Sequence, residues 1–241
     1  MKIEAIKTPK VRANDCLKQI LDNISILRER SVVAVTSKIV SLCEGKIVKK
    51  EKIDKRQLIE KEADVVLDTG ENPYGMCLTI KNGILIPSAG IDESNADNSY
   101  VLYPSDLWKS AEQIWIYLKT KHNLKEFGVI ITDSHTTMMR RGVTGIALSW
   151  CGFSPLYSYV GKDDLFGYTL QATQVNTTDA LAVSAVFCMG EGSEQTPMAV
   201  ITDIPRIFFL DRKPTNEEKN SIFIGKDEDL YAPLLKGLST Q

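Results

Sequence analysis

Residues 127–145 read FGVIITDSHTTMMRRGVTG, and this stretch contains the pattern that decides the fold. Its apolar start has the β-branched composition of a buried strand, and Asp133 stands at the carboxyl end of that strand. A hydroxyl, Ser134, follows directly, and Arg140 and Arg141 come soon after. An acid and a hydroxyl at a strand end suit either a metal and phosphate site or an ordinary polar turn with a basic edge.

Helical and extended patterns surround this strand without regular alternation. Strands are predicted within 3–6, 31–40, 44–53, 127–133, 197–204 and 206–210, a hairpin at 78–90, and helices at 13–27, 57–67, 105–123 and 178–192. Asn14 or Asp15 is the expected cap of the first helix, and Ser105 that of the third. We predict an α/β fold of the α+β type, with mixed sheets and packed helices. It forms a single domain, 1–241, with a polar and partly helical tail at 205–241.

The composition is that of an ordinary globular protein, with 43% hydrophobic and 25% charged residues. A net charge of −2 provides no general basic field, so we expect no nucleic-acid partner. The N-terminus lacks the apolar core of a signal peptide, and no apolar run is long enough to cross a membrane. Five cysteines without a C-x-x-C pair indicate reduced thiols in a cytoplasmic protein. His122 and His135 are the only histidines, and we expect His135 in an exposed loop.

Three acidic residues stand where a cation could bind. Asp92 follows a hairpin and a glycine, Asp133 ends the strand at 127–133, and Glu191 lies between two glycines that allow close approach of a ligand. Mg²⁺ and Mn²⁺ prefer carboxylate oxygens, completed by phosphates and water. Each acid has an ordinary alternative, as the cap of a turn or the end of a helix, and standard phosphate-loop motifs are absent. The residues alone therefore indicate no more than a candidate metal and nucleotide site.

Several segments are recognisable as an ordered set. They are AGIDESN at 89–95, LYPSDLWKSAE at 102–112, GVIITDS at 128–134, RRGVTGIALSWCG at 140–152, YVGKDDLFG at 159–167, TTDALAVSA at 177–185 and MGEG at 189–192. Together they resemble the coenzyme F420-0:L-glutamate ligase family over most of residues 1–200. The resemblance implies two intertwined lobes, a homodimer, and an amide-bond ligase that uses GTP or ATP. It also implies an acyl phosphate, made from a substrate carboxylate and the γ-phosphate, which the amino group of L-glutamate attacks.

The resemblance also implies roles for individual residues. Asp92 and Asp133 match the ligands of one divalent ion, Mg²⁺ or Mn²⁺, while Ser134 and Glu191 match those of a second ion. Asp133 and Arg141 are the candidate catalytic residues, although a salt bridge at the turn explains the arginine equally well. The nucleotide-binding candidates are Thr8, Pro9, Lys10, Val11, Ser37, Lys38, Asn95, Val186, Phe187, Cys188, Met189, Gly190, Glu191, Gly192 and Ser193. A lysine of the family pattern is Leu42 here, and Lys38 could reach the same phosphates.

Two departures from the family pattern concern the acceptor. The family's D-T-x-G-R reads DSHTT at 133–137, and its later G-R-E-L reads GYTL at 167–170, so two arginines are missing. Coenzyme F420-0 carries a phosphodiester, whereas a monoglutamyl folate carries none. We therefore predict addition of L-glutamate to the γ-carboxylate of a folate, with F420-0 as the alternative acceptor and a non-catalytic nucleotide-binding relative as a further alternative. Four aromatic residues could stack on a pterin or make core or dimer contacts: Tyr157, Tyr159, Phe166 and Tyr168.

Overall fold

The computed structural model describes residues 1–68, 74–225, 227–235 and 239–240. The strands are β1 (Lys2–Ile6), β2 (Ser31–Thr36), β3 (Ile47–Lys49), β4 (Val65–Asp68), β5 (Leu78–Lys81), β6 (Ile84–Pro87), β7 (Ser99–Val101), β8 (Phe127–Thr136), β9 (Val143–Cys151), β10 (Leu156–Ser158), β11 (Gln174–Asn176), β12 (Met198–Thr202) and β13 (Ser239–Thr240). The helices are α1 (Leu17–Leu21), α2 (Ser37–Cys43), α3 (Lys55–Glu62), α4 (Leu107–His122), α5 (Thr177–Met189), α6 (Asn216–Asn220) and α7 (Ala232–Leu235). This content confirms the predicted α+β class.

The central sheet has five strands in the order β1-β12-β2-β8-β9. β2 and β8 are parallel, and the other neighbours are antiparallel. Ile6 of β1 and Val35 of β2 both pair with Met198 of β12, so β1 runs in the same direction as β2 and β8. The carboxyl ends of three strands and the amino end of β12 therefore meet at one edge of the sheet, and this edge positions the candidate site.

Helices cover both faces of the central sheet. Val33, Val35 and Ile131 lie in a core shared with α1, α2 and α4, whereas Val32 and Ile130 face α5. Because side chains alternate across a strand, a sheet covered on both faces requires continuously apolar strands, as β2 and β8 are. Each fully buried aliphatic side chain stabilises the fold by about 1.5–3 kcal/mol relative to exposure.

A second sheet carries the loop that contains Asp92. Its strand order is β13-β4-β5-β6, and Asn82 and Gly83 form the turn between β5 and β6, both with positive φ. This geometry is the one an Asn-Gly hairpin turn requires, so the predicted hairpin is confirmed. The chain then passes through a short 3₁₀ turn, Ser88–Gly90, and Asp92 follows before β7 pairs with β3.

Several predicted boundaries are wrong for local reasons. The helix expected at 13–27 is reduced to α1, because Asn14 has a positive φ and the N-cap is Cys16 rather than Asn14 or Asp15. Residues 37–40, expected as strand and turn, open α2 instead. The helix expected at 57–67 ends at Glu62. The valine-rich residues that follow form β4, which pairs with β5.

The later elements follow the predictions more closely. α4 and α5 form as expected, and Gly190 ends α5, although Asp106 rather than Ser105 caps α4 by accepting a hydrogen bond from the Lys109 amide. Residues 206–210 form no strand beyond one isolated bridge from Phe153 to Phe209. Within the tail, 226, 236–238 and 241 lie outside the described residues. Among the described parts of the chain, no helix has the length and hydrophobicity needed to cross a bilayer.

The stretch DSHT is strand rather than loop. β8 continues past Asp133 to Thr136 and pairs with β9, with His135 opposite Thr144. His135 is therefore a half-buried strand residue, and the exposed loop expected for it is wrong. A β-bulge lies between Ile131 and Thr132, where β9 contributes one extra residue. The bulge lies immediately before the candidate metal ligands.

Replacing Gly145 tests the close packing of α5 on β9. A Cβ atom there would collide with the backbone carbonyl of Ala182 in α5. Gly145→Ala should therefore lower the free energy of unfolding by about 1–3 kcal/mol, measured by denaturant titration. Val143→Ala, on the exposed end of the same strand, should cost only about 0.5 kcal/mol. Equal stability of the two variants would contradict this packing.

Candidate metal and nucleotide site

A cavity of about 370 Å³ opens at the carboxyl edge of the central sheet. Segments that follow β1 and β2, the end of β8, and the stretch between α5 and β12 all contribute to it. The loop after β6 closes it from the second sheet. The lining residues are Thr8, Pro9, Lys10, Val11, Thr36, Lys38, Ile39, Leu42, Asp92, Asn95, Thr132, Asp133, Ser134, Val186 and 189–197. Ligand cavities in proteins are commonly about 300–1,000 Å³.

Asp133 lies on the wall of this cavity near the end of β8. Its carboxylate is largely surrounded by protein, and this burial raises the pKa of Asp133 to about 7. Hydrogen bonding from Tyr103 and the Ser134 backbone favours the charged form, whereas the nearby Asp92 opposes it. A buried carboxylate with incomplete compensation is stabilised by a cation placed beside it.

Asp92 already has a cationic partner. Lys38 Nζ lies 2.5 Å from Asp92 Oδ2, while the Ser94 amide and hydroxyl donate to Oδ1 at 2.7 and 2.9 Å. Burial alone would raise the pKa of Asp92, but the hydrogen bond and charge of Lys38 outweigh it and lower that pKa below its usual value. Asp92 is therefore held in its charged form near the amino end of α2.

Side-chain hydrogen bonds connect the MGEG segment, residues 189–192, to the rest of the cavity. The Ser134 hydroxyl donates to the Glu191 carboxylate, with Oγ 2.7 Å from Oε2. Asn95 Nδ2 donates to the Gly192 carbonyl at 3.1 Å, and the Gly192 amide donates to Glu194 at 2.8 Å. These contacts bring the loop after β6, the end of β8 and the end of α5 into one arrangement.

The acidic and hydroxyl groups form two pairs rather than one cluster. Within the described residues, no three His, Cys, Asp or Glu side chains converge on a single point. Instead, the nearby charge of Asp92 raises the pKa of Asp133, and the Ser134 hydroxyl contacts Glu191. Divalent ions of the Mg²⁺ type commonly take one or two carboxylates and complete their shell with phosphates and water. The donor chemistry of both pairs fits Mg²⁺ or Mn²⁺.

The charge of the cavity also favours cations. Four carboxylates, Asp92, Asp133, Glu191 and Glu194, line it against two lysines, Lys10 and Lys38. A polyphosphate entering alone would meet net repulsion, and divalent ions would reverse that balance. The cavity is thus suited to a nucleotide only when metal ions accompany it.

Most of the residues predicted for the site line the cavity, and four do not. Ser37 is buried at the start of α2, and Phe187 and Cys188 are exposed because a turn of α5 carries them to its outer face. Arg141 lies in the exposed turn between β8 and β9 and is not among the lining residues. Leu42, which replaces the lysine of the family pattern, does line the cavity.

Several lining residues were missed in the sequence. Glu194 and Gln195 belong to the stretch that leads into β12. Their place in the cavity could be predicted only by knowing that β12 lies in the centre of the sheet, next to β2. Tyr103 lies behind the cavity, where burial and the Asp133 charge raise its pKa well above the ordinary value. Its buried hydroxyl makes no hydrogen bond of regular geometry. No local sequence pattern predicts such a contact.

The chain is similar to known ligases. The family model described as F420-0:Gamma-glutamyl ligase matches residues 5–203. The coenzyme F420:L-glutamate ligase of Methanosarcina mazei is 32% identical over 222 residues, which cover 83% of this chain and 86% of that protein. The same-named protein of Methanosarcina barkeri is 33% identical with the same coverage. That of Methanococcus maripaludis is 28% identical over 248 residues, covering 96% and 97%. None of these three names refers to a folate.

Gly190 offers a test of the loop that carries Glu191. Its φ is +80°, and a Cβ atom there would lie 2.6 Å from the Glu194 carboxyl carbon. Gly190→Ala should lower the free energy of unfolding by about 1–3 kcal/mol, measured by thermal or denaturant unfolding. Gly192→Ala is the matched control, because its Cβ would make only ordinary contacts, at 3.4 Å or more. If the control is as damaging as Gly190→Ala, the loop geometry is wrong.

Proposed function

Because this chain belongs to the F420-0:Gamma-glutamyl ligase family, we propose that it joins L-glutamate to a carboxylate of coenzyme F420-0. The protein is an enzyme of the class that forms carbon–nitrogen bonds. The observation that carries the proposal is the meeting of Asp92, Asp133, Ser134 and Glu191 at one cavity beside two lysines. Phosphoryl transfer to a carboxylate needs a site of this composition.

The choice of F420-0 replaces the folate predicted from the sequence. The names of the relatives support F420-0 as the acceptor. The positions of the two missing arginines in the structure give little support to a folate. Thr137 lies in the exposed turn after β8, and Tyr168 is 74% exposed between β10 and β11. Neither lines the cavity that contains Asp133, which we call the nucleotide cavity because we propose that the nucleotide binds there. The absence of arginine at these positions therefore gives little reason to prefer an acceptor with fewer anionic groups.

The reaction has two steps that balance without a further reagent. A carboxylate oxygen of the acceptor attacks the γ-phosphorus of GTP or ATP, and the bond to the β-phosphate oxygen breaks to release the nucleoside diphosphate. The amino group of L-glutamate then attacks the acyl carbon, inorganic phosphate leaves, and the nitrogen loses a proton. Phosphorylation turns a poor leaving oxygen into a good one.

In the first step, some lining residues would bind metal ions and one would contact the phosphates. Asp92 and Asp133 would hold one divalent ion, and Ser134 with Glu191 the other. Two such ions, Mg²⁺ or Mn²⁺, offset the negative charge on the transferring phosphoryl group. Lys38 would move from Asp92 towards the phosphates when a metal ion takes its place, since its flexible stem allows this.

A homodimer and a cytoplasmic location complete the proposal. Leu165, Phe166 and Tyr168 project from the loop between β10 and β11 and are among the most exposed apolar side chains. A patch of this kind is commonly covered by another subunit. Cys16, Cys43, Cys151 and Cys188 are free, which supports a reducing compartment.

The acceptor is tested by side-by-side assays. Purified protein with GTP or ATP, Mg²⁺ or Mn²⁺ and L-glutamate should release phosphate when F420-0 is added, and mass spectrometry should detect a glutamylated product. Tetrahydrofolate under the same conditions should give none. Glutamylation of the folate alone would restore the acceptor predicted from the sequence. Phosphate release with neither acceptor would reject the proposed reaction.

The metal-ligand assignment is tested by Asp133→Asn. Removing the charge while keeping the shape should lower kcat about 100-fold or more, because the ligands of a charge-stabilising ion act mainly in the transition state. Asp203→Asn, an exposed aspartate at the opposite edge of the sheet, is the control and should retain full activity. Normal turnover by Asp133→Asn would contradict the assignment.

A further inference from the structure

A second cavity, of about 470 Å³, lies where the second sheet, the connection from β7 to α4, and the C-terminal tail meet. It shares no lining residue with the nucleotide cavity. Its position follows from the fold, because α4 leads into β8 and packs against it in the opposite direction. The amino end of α4 is therefore near the carboxyl end of β8, where Asp133 lies.

Aromatic side chains form the apolar part of this second cavity. Tyr103, Trp108 and Phe223 line it together with Leu148. The Trp108 ring packs edge-on against the buried Trp150, with ring centroids 4.8 Å apart, so its orientation is fixed. Phe223, from the tail, packs over Gly83 of the hairpin. Flat rigid surfaces of this kind suit a planar aromatic ligand.

Among the charged side chains that line the second cavity, one lysine forms no ion pair with the described residues. Asp106 already caps α4, and Lys81 donates to the backbone carbonyl of Glu62 and lies 3.9 Å from its carboxylate. Lys46 has no ion pair with any residue that the structure describes. An unpaired lysine on the wall of an aromatic cavity attracts an anionic group on the ligand.

Tyr103 separates the two cavities. It lines the second cavity, while its hydroxyl lies beside the Asp133 carboxylate and close to Gly90. Only 8% of Tyr103 is exposed, and its hydroxyl interacts with the Asp133 carboxylate. Tyr103 therefore connects the wall of the second cavity to the Asp133 carboxylate.

We propose that the second cavity binds the acceptor of the reaction, a planar heteroaromatic molecule with an anionic arm. The ring lies against Trp108 and Phe223, Lys46 receives a negative group of the arm, and the reactive carboxylate lies towards Tyr103, on the side of the cavity nearest Asp133. The assignment rests on the proposed ligase function and adds the place of the second substrate. The volume favours the acceptor over free L-glutamate, because cavities of this size hold drug-sized ligands.

Substitutions that leave the nucleotide cavity intact test this assignment. Lys46→Met and Phe223→Ala should each raise the KM for the acceptor about tenfold, because each removes a side chain that lines the second cavity and not the nucleotide cavity. The KM for the nucleotide should stay unchanged, which also shows that the variants are folded. Lys46→Arg keeps the charge and should stay near the wild-type KM. Lys125→Met, an exposed lysine next to the opposite end of β8, is the control for loss of a lysine.

Each outcome decides between the two proposals. An acceptor KM that is unchanged in both Lys46→Met and Phe223→Ala, with normal turnover by the wild type, would overturn the cavity assignment and leave the ligase function standing. An equilibrium titration of F420-0 against the protein without nucleotide gives a second readout. The Lys46→Met variant should bind F420-0 about tenfold more weakly. A wild-type protein that neither binds nor glutamylates F420-0 would overturn both proposals.

Discussion

The parallel pairing of β2 with β8 is the constraint on which the candidate site depends. It sets Thr36 opposite Thr132 at one edge of the sheet, so that the residues following each strand enter the same cavity. Lys38 is the second residue of α2, and Asp133 comes directly after Thr132. Because β12 runs antiparallel between β1 and β2, its amino end and the carboxyl end of β1 lie at this edge too. Side chains far apart in sequence are thus brought together by strand direction alone.

The buried carboxylates at this edge of the sheet determine which ligands it can bind. Burying carboxylates is costly unless a cation or hydrogen bonds compensate them. Lys38 and Ser94 compensate Asp92, whereas Asp133 is compensated only in part, as its raised pKa reflects. A divalent ion placed between them would remove that cost and convert an unfavourable arrangement into a binding site. A polyphosphate and its metal ions would bind together for the same reason, since the ions offset the carboxylates of the cavity.

The sequence predicted which residues line the cavity better than it predicted how they are arranged. Asp92, Asp133, Ser134 and Glu191 were identified from strand-end and glycine-flanked positions, and the structure brings them to one cavity. The pairing of Ser134 with Glu191 and of Asn95 with Gly192 depends on contacts between segments remote in sequence, which no local pattern encodes. Tyr103 was missed for the same reason.

Local structure was predicted where one signal dominated and was misread where two competed. The Asn82-Gly83 hairpin and α4 follow from a single strong pattern. Residues 57–67 carry a helical start and a valine-rich end, and pairing with β5 decided the second part. The polar residues after Asp133 favour a loop for His135, but pairing with β9 extends the strand through them.

We propose that the two oxygen-donor pairs, Asp92 with Asp133 and Ser134 with Glu191, each hold a divalent ion. The most direct measurement is a crystal structure with Mn²⁺ and a non-hydrolysable GTP analogue, in which anomalous scattering locates the manganese. Two peaks are expected, one between Asp92 and Asp133 and one beside Ser134 and Glu191, with phosphate oxygens completing both shells. Manganese bound elsewhere, with Lys38 still paired to Asp92, would contradict the account.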